Sequence, residues 1–251
     1  MQTALVTGGA KRIGAAIVRG LSRDGWRVVV HYNSSKSEAE TLAKELTDNG
    51  NAADIVGCDL TDLAATERLV PECVERFGPL DCLINNASLF EPDWLETVEP
   101  ALWQKQLDVN LRAPMLLTKA FAAQLPDGQE GCVINMLDNK VFSPNPDYFS
   151  YSVGKFGLKG ITEMAAMALG PHIRVCGIAP GLTTISGDQT AEDFETQSTM
   201  NLLKKSSGPA EVVKTVRYIL ASDVLTGQIV VVDGGQSLLR LPRDVAFLNK
   251  E

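Results

Sequence analysis

Histidine is scarce in this chain: only His31 and His172 occur among 251 residues. With no spaced Cys/His cluster either, a structural zinc site finds no ligand set. Cysteine is sparse as well. Cys58, Cys73, Cys82, Cys132 and Cys176 are odd in number and form no C-x-x-C pair. They read as buried free thiols in a reducing compartment, not as a disulfide framework. Basic residues are outnumbered, 23 Lys and Arg against 31 Asp and Glu, for a net charge of −8. That balance argues against a nucleic-acid partner, because phosphate neutralisation needs clustered cations. A local basic pocket for a small anion remains compatible with it. No apolar run approaches the roughly 18–20 residues that span a bilayer. The start, Ala4-Leu5-Val6-Thr7, lacks the charged and long apolar regions of a secretory signal. The expected location is the cytoplasm, with no membrane partner. No repeat and no low-complexity linker divides the chain, so one domain is expected over 1–251.

What is present is a soluble, core-forming composition, 45% hydrophobic and 22% charged, with no need of staples. Short β-rich apolar runs at 3–7, 27–32, 53–57, 80–84, 131–136, 173–179 and 228–232 alternate with stretches of helical period. Ile13, Ala16, Ile17, Gly20 and Leu21 share one helical face, and Glu38, Leu42 and Leu46 precede a stop at Asn49-Gly50. Strands apolar on both faces, joined through helices, predict an α/β fold: a Rossmann-type, doubly wound parallel sheet of about seven strands covered on both sides. The polar segment 182–207, with Gly187, Asp188, Thr190 and Glu192, interrupts the rhythm and is expected to form a lid.

Thr7-Gly8-Gly9-Ala10-Lys11-Arg12-Ile13-Gly14 follows the first strand and opens a helix. Gly8 permits backbone angles closed to other residues, Gly14 allows close strand–helix approach, and the helix N-terminus favours a pyrophosphate. A chain preferring NAD commonly carries a carboxylate at the end of the second strand. This one reads His31-Tyr32-Asn33-Ser34, without one, beside Lys11 and Arg12. Hydroxyls and a guanidinium suit a 2′-phosphate, so the expected cofactor is NADP(H). Asp59-Leu60 after the third strand is placed at the adenine, and Asn86-Ala87 after the fourth lie along the cofactor.

Tyr151 and Lys155 stand four apart on one helical face. A phenol titrates near pH 10, and an adjacent ammonium lowers that value enough for acid–base work. Thr7–Gly14, Asn85–Ala87, Asn110, Tyr151/Lys155, Pro180-Gly181 and the ending Thr226–Gly235 closely resemble the short-chain dehydrogenase/reductase family, over about residues 3 to 238. The resemblance implies that Tyr151 handles the proton and that Lys155 tunes it and holds the nicotinamide ribose. It also implies that Asn110 supports a relay water, that Ile13, Pro180 and Gly181 contact the cofactor, and that the chain forms a homotetramer. The tail Leu238-Leu239-Arg240-Leu241-Pro242 is apolar and suited to packing on another subunit. About 1–130 would be the cofactor half, 131–238 the catalytic and substrate half, and 239–251 a tail.

The chain departs from the family pattern twice. Arg12 replaces the middle glycine, and Asp138 stands thirteen residues before Tyr151, where the family's serine is usual. An ionised Asp facing a developing oxyanion would repel it by roughly 4 kcal/mol at an effective dielectric near 20, nearly three decades in rate. A carboxyl suits a substrate that gains its proton on nitrogen, as in C=N reduction, if desolvation keeps it protonated. The alternative is a neutral exchange in which Ser143 or Asn139 supplies the missing group. Gly9–Gly14, His31-Tyr32, Asn85–Phe90, Asn135–Asp138 and Gly181-Leu182 are similar to the pteridine and dihydromonapterin/dihydrofolate reductases of the family. That similarity implies a small-molecule pterin or folate-like substrate between the nicotinamide and Phe90, contacted by Arg12, Ser88, Asp138, Tyr151 and Leu182. A general NADP(H)-dependent carbonyl reductase and a non-catalytic NADP(H)-binding sensor are the competing readings.

Overall fold

The computed structural model describes residues 1–185 and 189–248; of the lid segment, Gly187 and Asp188 lie outside the described residues. Seven strands appear nearly where the apolar runs place them: β1 Thr3–Val6, β2 Arg27–Tyr32, β3 Ala53–Gly57, β4 Cys82–Asn85, β5 Gly131–Met136, β6 Ile173–Pro180 and β7 Ile229–Val232. All pair in parallel, in the order β3-β2-β1-β4-β5-β6-β7. The order reverses between β1 and β4, and in such sheets a ligand crevice opens there, beyond the carboxyl ends of the strands.

Helices cover both faces. Arg12–Arg23 (α1), Lys36–Asp48 (α2) and Pro209–Leu220 (α8) close one side, where Ile17, Val18, Leu42 and Val216 meet Val28, Val30 and Ile84. Leu63–Phe77 (α3), Ala113–Gln124 (α5) and Phe149–Leu169 (α6) close the other, around Leu69, Leu117, Phe121 and Val133. Pro100–Leu107 (α4) runs into α5 through a single wide turn, Asp108–Arg112, and Ala191–Ser198 (α7) follows the segment after β6. Helix α7 starts on a reciprocal cap, Thr190 Oγ1 accepting from the Asp193 amide while Asp193 accepts from the Thr190 amide.

All five thiols are free. Four are buried and Cys58 is half-buried. Burial pushes Cys58 up to about 11 and Cys73 and Cys132 up to about 12, and raises Cys82 and Cys176 too. No helix among the described residues is long and apolar enough to cross a membrane.

The tail differs from expectation in part. Leu238 and Leu239 are exposed, but the chain beyond them folds back onto its own molecule, and Val245 is buried. Two ion pairs draw it there, Lys140–Asp244 and Arg243–Asp147.

Candidate active site

The nucleotide turn is shaped by a glycine backbone angle and held by close packing. Gly8 takes φ +59°, and a Cβ on Gly14 would collide with the Gly8 carbonyl oxygen and lie 2.7 Å from Asn86 Nδ2. Asn86 fills that space, donating through Nδ2 to the carbonyls of Thr7 (2.8 Å) and Gly8 (3.1 Å). Thr7 Oγ1 accepts from the amides of Asn86 and Ala87, both at 2.9 Å. The turn and the end of β4 are thus one rigid piece, and the Asn86 amide is spent on protein.

His31 is not in the cleft. It is buried beneath the turn, its Nδ1 accepting from the Gly8 amide at 3.0 Å and its Nε2 lying 3.0 Å from the Cys58 carbonyl. Burial drives its pKa down to about 4. Neutral, with Nδ1 as acceptor, it acts through Gly8. Tyr32 packs over Gly57, and Asn33 and Ser34 are exposed on the rim. Asp59 turns to Thr61, accepting from its amide and hydroxyl, and the Leu60 side chain is in the core. Lys11 is ion-paired to Glu38 at 3.1 Å, so the positive charge counted at this end is partly offset.

Arg12, expected both at the 2′-phosphate and among the substrate contacts, turns toward Thr184 and Tyr151. It occupies the glycine position with φ +53°, and its Nε donates to Thr184 Oγ1 at 2.9 Å across the cleft. The guanidinium therefore lies on the Tyr151 side of the cleft, and burial lowers its pKa against the pull of Tyr151.

A cleft of about 340 Å³ joins the turn to the far half of the sheet. Gly8, Lys11, Arg12, Ile13, Gly14, Asn86, Ala87, Ser88, Phe90, Asp138, Tyr151, Lys155, Pro180, Gly181 and Leu182 all line it. His31, Tyr32, Asn33, Ser34, Asp59, Leu60 and Asn110 do not. Asn110 sits in the wide turn before α5, fully buried, where Oδ1 accepts from Ser88 Oγ (2.8 Å) and the Leu89 amide (3.2 Å) while Nδ2 donates to the Leu89 carbonyl. It fixes the loop carrying Ser88 and Phe90.

At the centre Tyr151 Oη donates to Asp138 Oδ2 at 2.8 Å, and Asp138 Oδ1 accepts from the Lys140 amide at 2.9 Å. Burial raises the Asp138 pKa, opposed mainly by Lys140. Burial and the facing carboxyl raise Tyr151 well above the ordinary phenol value. Lys155 donates to the Met136 carbonyl at 2.7 Å, and burial brings it down to about 8. Lys155 Nζ stands 5.5 Å from the centre of the Tyr151 ring, and the cation that pulls the phenol down is the Arg12 guanidinium, against the larger pull of desolvation and Asp138. Phe90 stacks on Tyr148 (centroids 4.0 Å apart, 17° between planes) and meets Tyr151 edge-on at 4.7 Å.

A family model for the short chain dehydrogenases matches residues 2–197. The chain belongs to the short-chain dehydrogenase family. It is therefore an oxidoreductase. Among solved structures, this short-chain dehydrogenase is similar to FolM alternative dihydrofolate reductase 1 from Brucella canis, complexed with NADP, at 40% identity, a TM-score of 0.91 and 94% coverage of both chains. Pteridine reductase 1 of Leishmania tarentolae is 32% identical over 94% of this chain and 96% of its own length. The 3-oxoacyl-[acyl-carrier-protein] reductase of Synechocystis sp. is 31% identical over 93% and 96%.

Sequence reasoning missed Lys140, Tyr148, Thr184, Leu241 and residues 243–246, all of which line the cleft. Their pairings span up to 172 positions, as for Arg12 and Thr184, and leave no local periodicity to read.

Proposed function

We propose that this short-chain dehydrogenase is an NADPH-dependent reductase of a C=N bond in a pterin or folate-like ring. The observation that carries the reading is the 2.8 Å bond between Tyr151 and Asp138, made by a carboxyl whose pKa burial raises. The bond runs in either sense, so the pair stores a proton that a ring nitrogen can take. NADPH when bound supplies the hydride to the neighbouring carbon. Gly8, Ile13 and Gly14 would hold its pyrophosphate, Lys11 and Ser34 its 2′-phosphate, Asp59 and Leu60 its adenine end, and Lys155, Pro180 and Gly181 its nicotinamide end. The close-packed turn under a helix N-terminus fits such a group. Arg12, Ser88, Phe90 and Leu182 would contact the substrate, with Thr184 opposite Arg12 on the segment we read as a lid. Residues 1–130 form the cofactor half and 131–238 the catalytic half. The FolM and pteridine reductase 1 similarities support this reading.

The similarity to a 3-oxoacyl reductase favours a second reading, reduction of a ketone. The two separate cleanly. NADPH oxidation is expected with dihydrobiopterin, dihydromonapterin or dihydrofolate, and Asp138→Ser should lower it at least tenfold while improving ketone turnover. Brisk ketone reduction by the native enzyme with no pterin turnover would sink the first reading.

A further inference from the structure

One wall of the cleft comes from neither the nucleotide turn nor α6. Beyond the short turn Gln236–Leu239, residues Leu241, Arg243, Asp244, Val245 and Ala246 line the cavity. Two ion pairs seat this strap. Arg243 grips Asp147, Nε donating to both oxygens at 2.9 Å and Nη2 to Oδ1 at 2.6 Å. Asp244 Oδ2 accepts from Lys140 Nζ at 2.6 Å. Asp147 is fully buried and also takes the Trp94 indole N–H and the Asp244 amide. Phe247 packs on Trp94 and on Tyr148, both at 5.6 Å, and Tyr148 is the ring stacked on Phe90.

Every charged anchor for the strap lies between Asp138 and Tyr151. One of them, Lys140, gives its side chain to Asp244 and its backbone amide to Asp138 Oδ1. Buried ion pairs add little net stability over apolar packing, and their best attested use is to fix one arrangement among several. Here the arrangement fixed is that of the proton-holding carboxyl and the aromatic wall beside it.

We propose that residues 241–247 form the outer wall of the substrate pocket, and that Lys140 and Asp244 are positioning residues that hold Asp138 in register with Tyr151. The substrate side of this inference rests on the pterin reading above; the seating of the strap does not. In steady-state kinetics with dihydrobiopterin, Asp244→Asn and the double variant Arg243→Met/Asp244→Asn are expected to lower kcat at least tenfold and raise the pterin KM several-fold. Their NADPH Kd should stay within twofold of the native value. Reversing the pair, Lys140→Glu with Asp244→Lys, should recover part of the loss that Asp244→Asn causes. Hydrogen exchange at residues 138–148 should quicken in both Asp244→Asn variants, a readout that needs no substrate. A native enzyme inert toward pterins, but with faster exchange in the variants, defeats the pterin reading and leaves the strap standing. Unchanged exchange at 138–148 together with unchanged kcat and KM overturns the strap.

Discussion

Arg12 is the residue whose position tells most. A non-glycine residue at φ +53° costs on the order of 1–2 kcal/mol, and the fold bears it to send a guanidinium toward Thr184 and Tyr151. Arg12→Gly should therefore leave thermal stability unchanged or up to about 1 kcal/mol higher. The same variant should raise the substrate KM at least fivefold with little change in NADPH affinity. Paired Tm, titration and kinetic measurements check this, and a loss of NADPH affinity with an unchanged KM would return Arg12 to the phosphate rim. Single residues were legible in the sequence where their chemistry is local. The glycines of the turn and the Tyr151–Lys155 spacing needed no tertiary knowledge. The direction of Arg12 did need it, because the backbone angle that aims the side chain is set by the turn and not by the residue type.

At the scale of elements, β1, β2 and β3 are joined at their carboxyl ends by one ring. His31 on β2 takes the Gly8 amide after β1 and reaches the Cys58 carbonyl after β3. The folded protein keeps this imidazole neutral to about pH 4, whereas the unfolded chain protonates it near 6.5. Between those values the unfolded state binds more protons, so stability falls as pH drops through the window, by about 3 kcal/mol from this group alone. Urea unfolding of the native protein and of His31→Asn between pH 4 and 7 should give curves that converge in acid; parallel curves would mean that the ring carries no such linkage. The strands themselves were legible because a parallel sheet buries both faces and writes continuous apolar runs. The start of α6 was not. Its first residues are capped by Asp93, which accepts from the Ser150 amide at 3.0 Å and from the Ser150 hydroxyl. That partner lies 57 positions away, where no capping pattern can be seen.

For the whole molecule, the sheet ends on β7, which has no neighbour beyond it among the described residues. Tyr218 and Leu238 near that edge are 59% and 73% exposed, and Met164 and Met167 on α6 are 62% and 85% exposed. Scattered apolar side chains are ordinary on a monomer, but groups on an edge and on a helix fit association of identical copies. We propose a homotetramer, for which light scattering should return about four times the 27.0 kDa of one chain. A monomeric mass sinks it. The same exposed groups show why assembly is hard to read in full from sequence: the Leu238 tail reads as an interface segment, but Met164 looks like a core residue until the fold places it outside.

The buried thiols also make the protein its own stopwatch. Since burial raises all five thiols, the folded molecule offers a maleimide or disulfide reagent almost no thiolate at neutral pH. The four wholly buried ones sit on or beside the strands: Cys82, Cys132 and Cys176 on β4, β5 and β6, and Cys73 on α3. Alkylation of these four thus counts openings of the central sheet, and cofactor or substrate that holds the sheet closed will slow it.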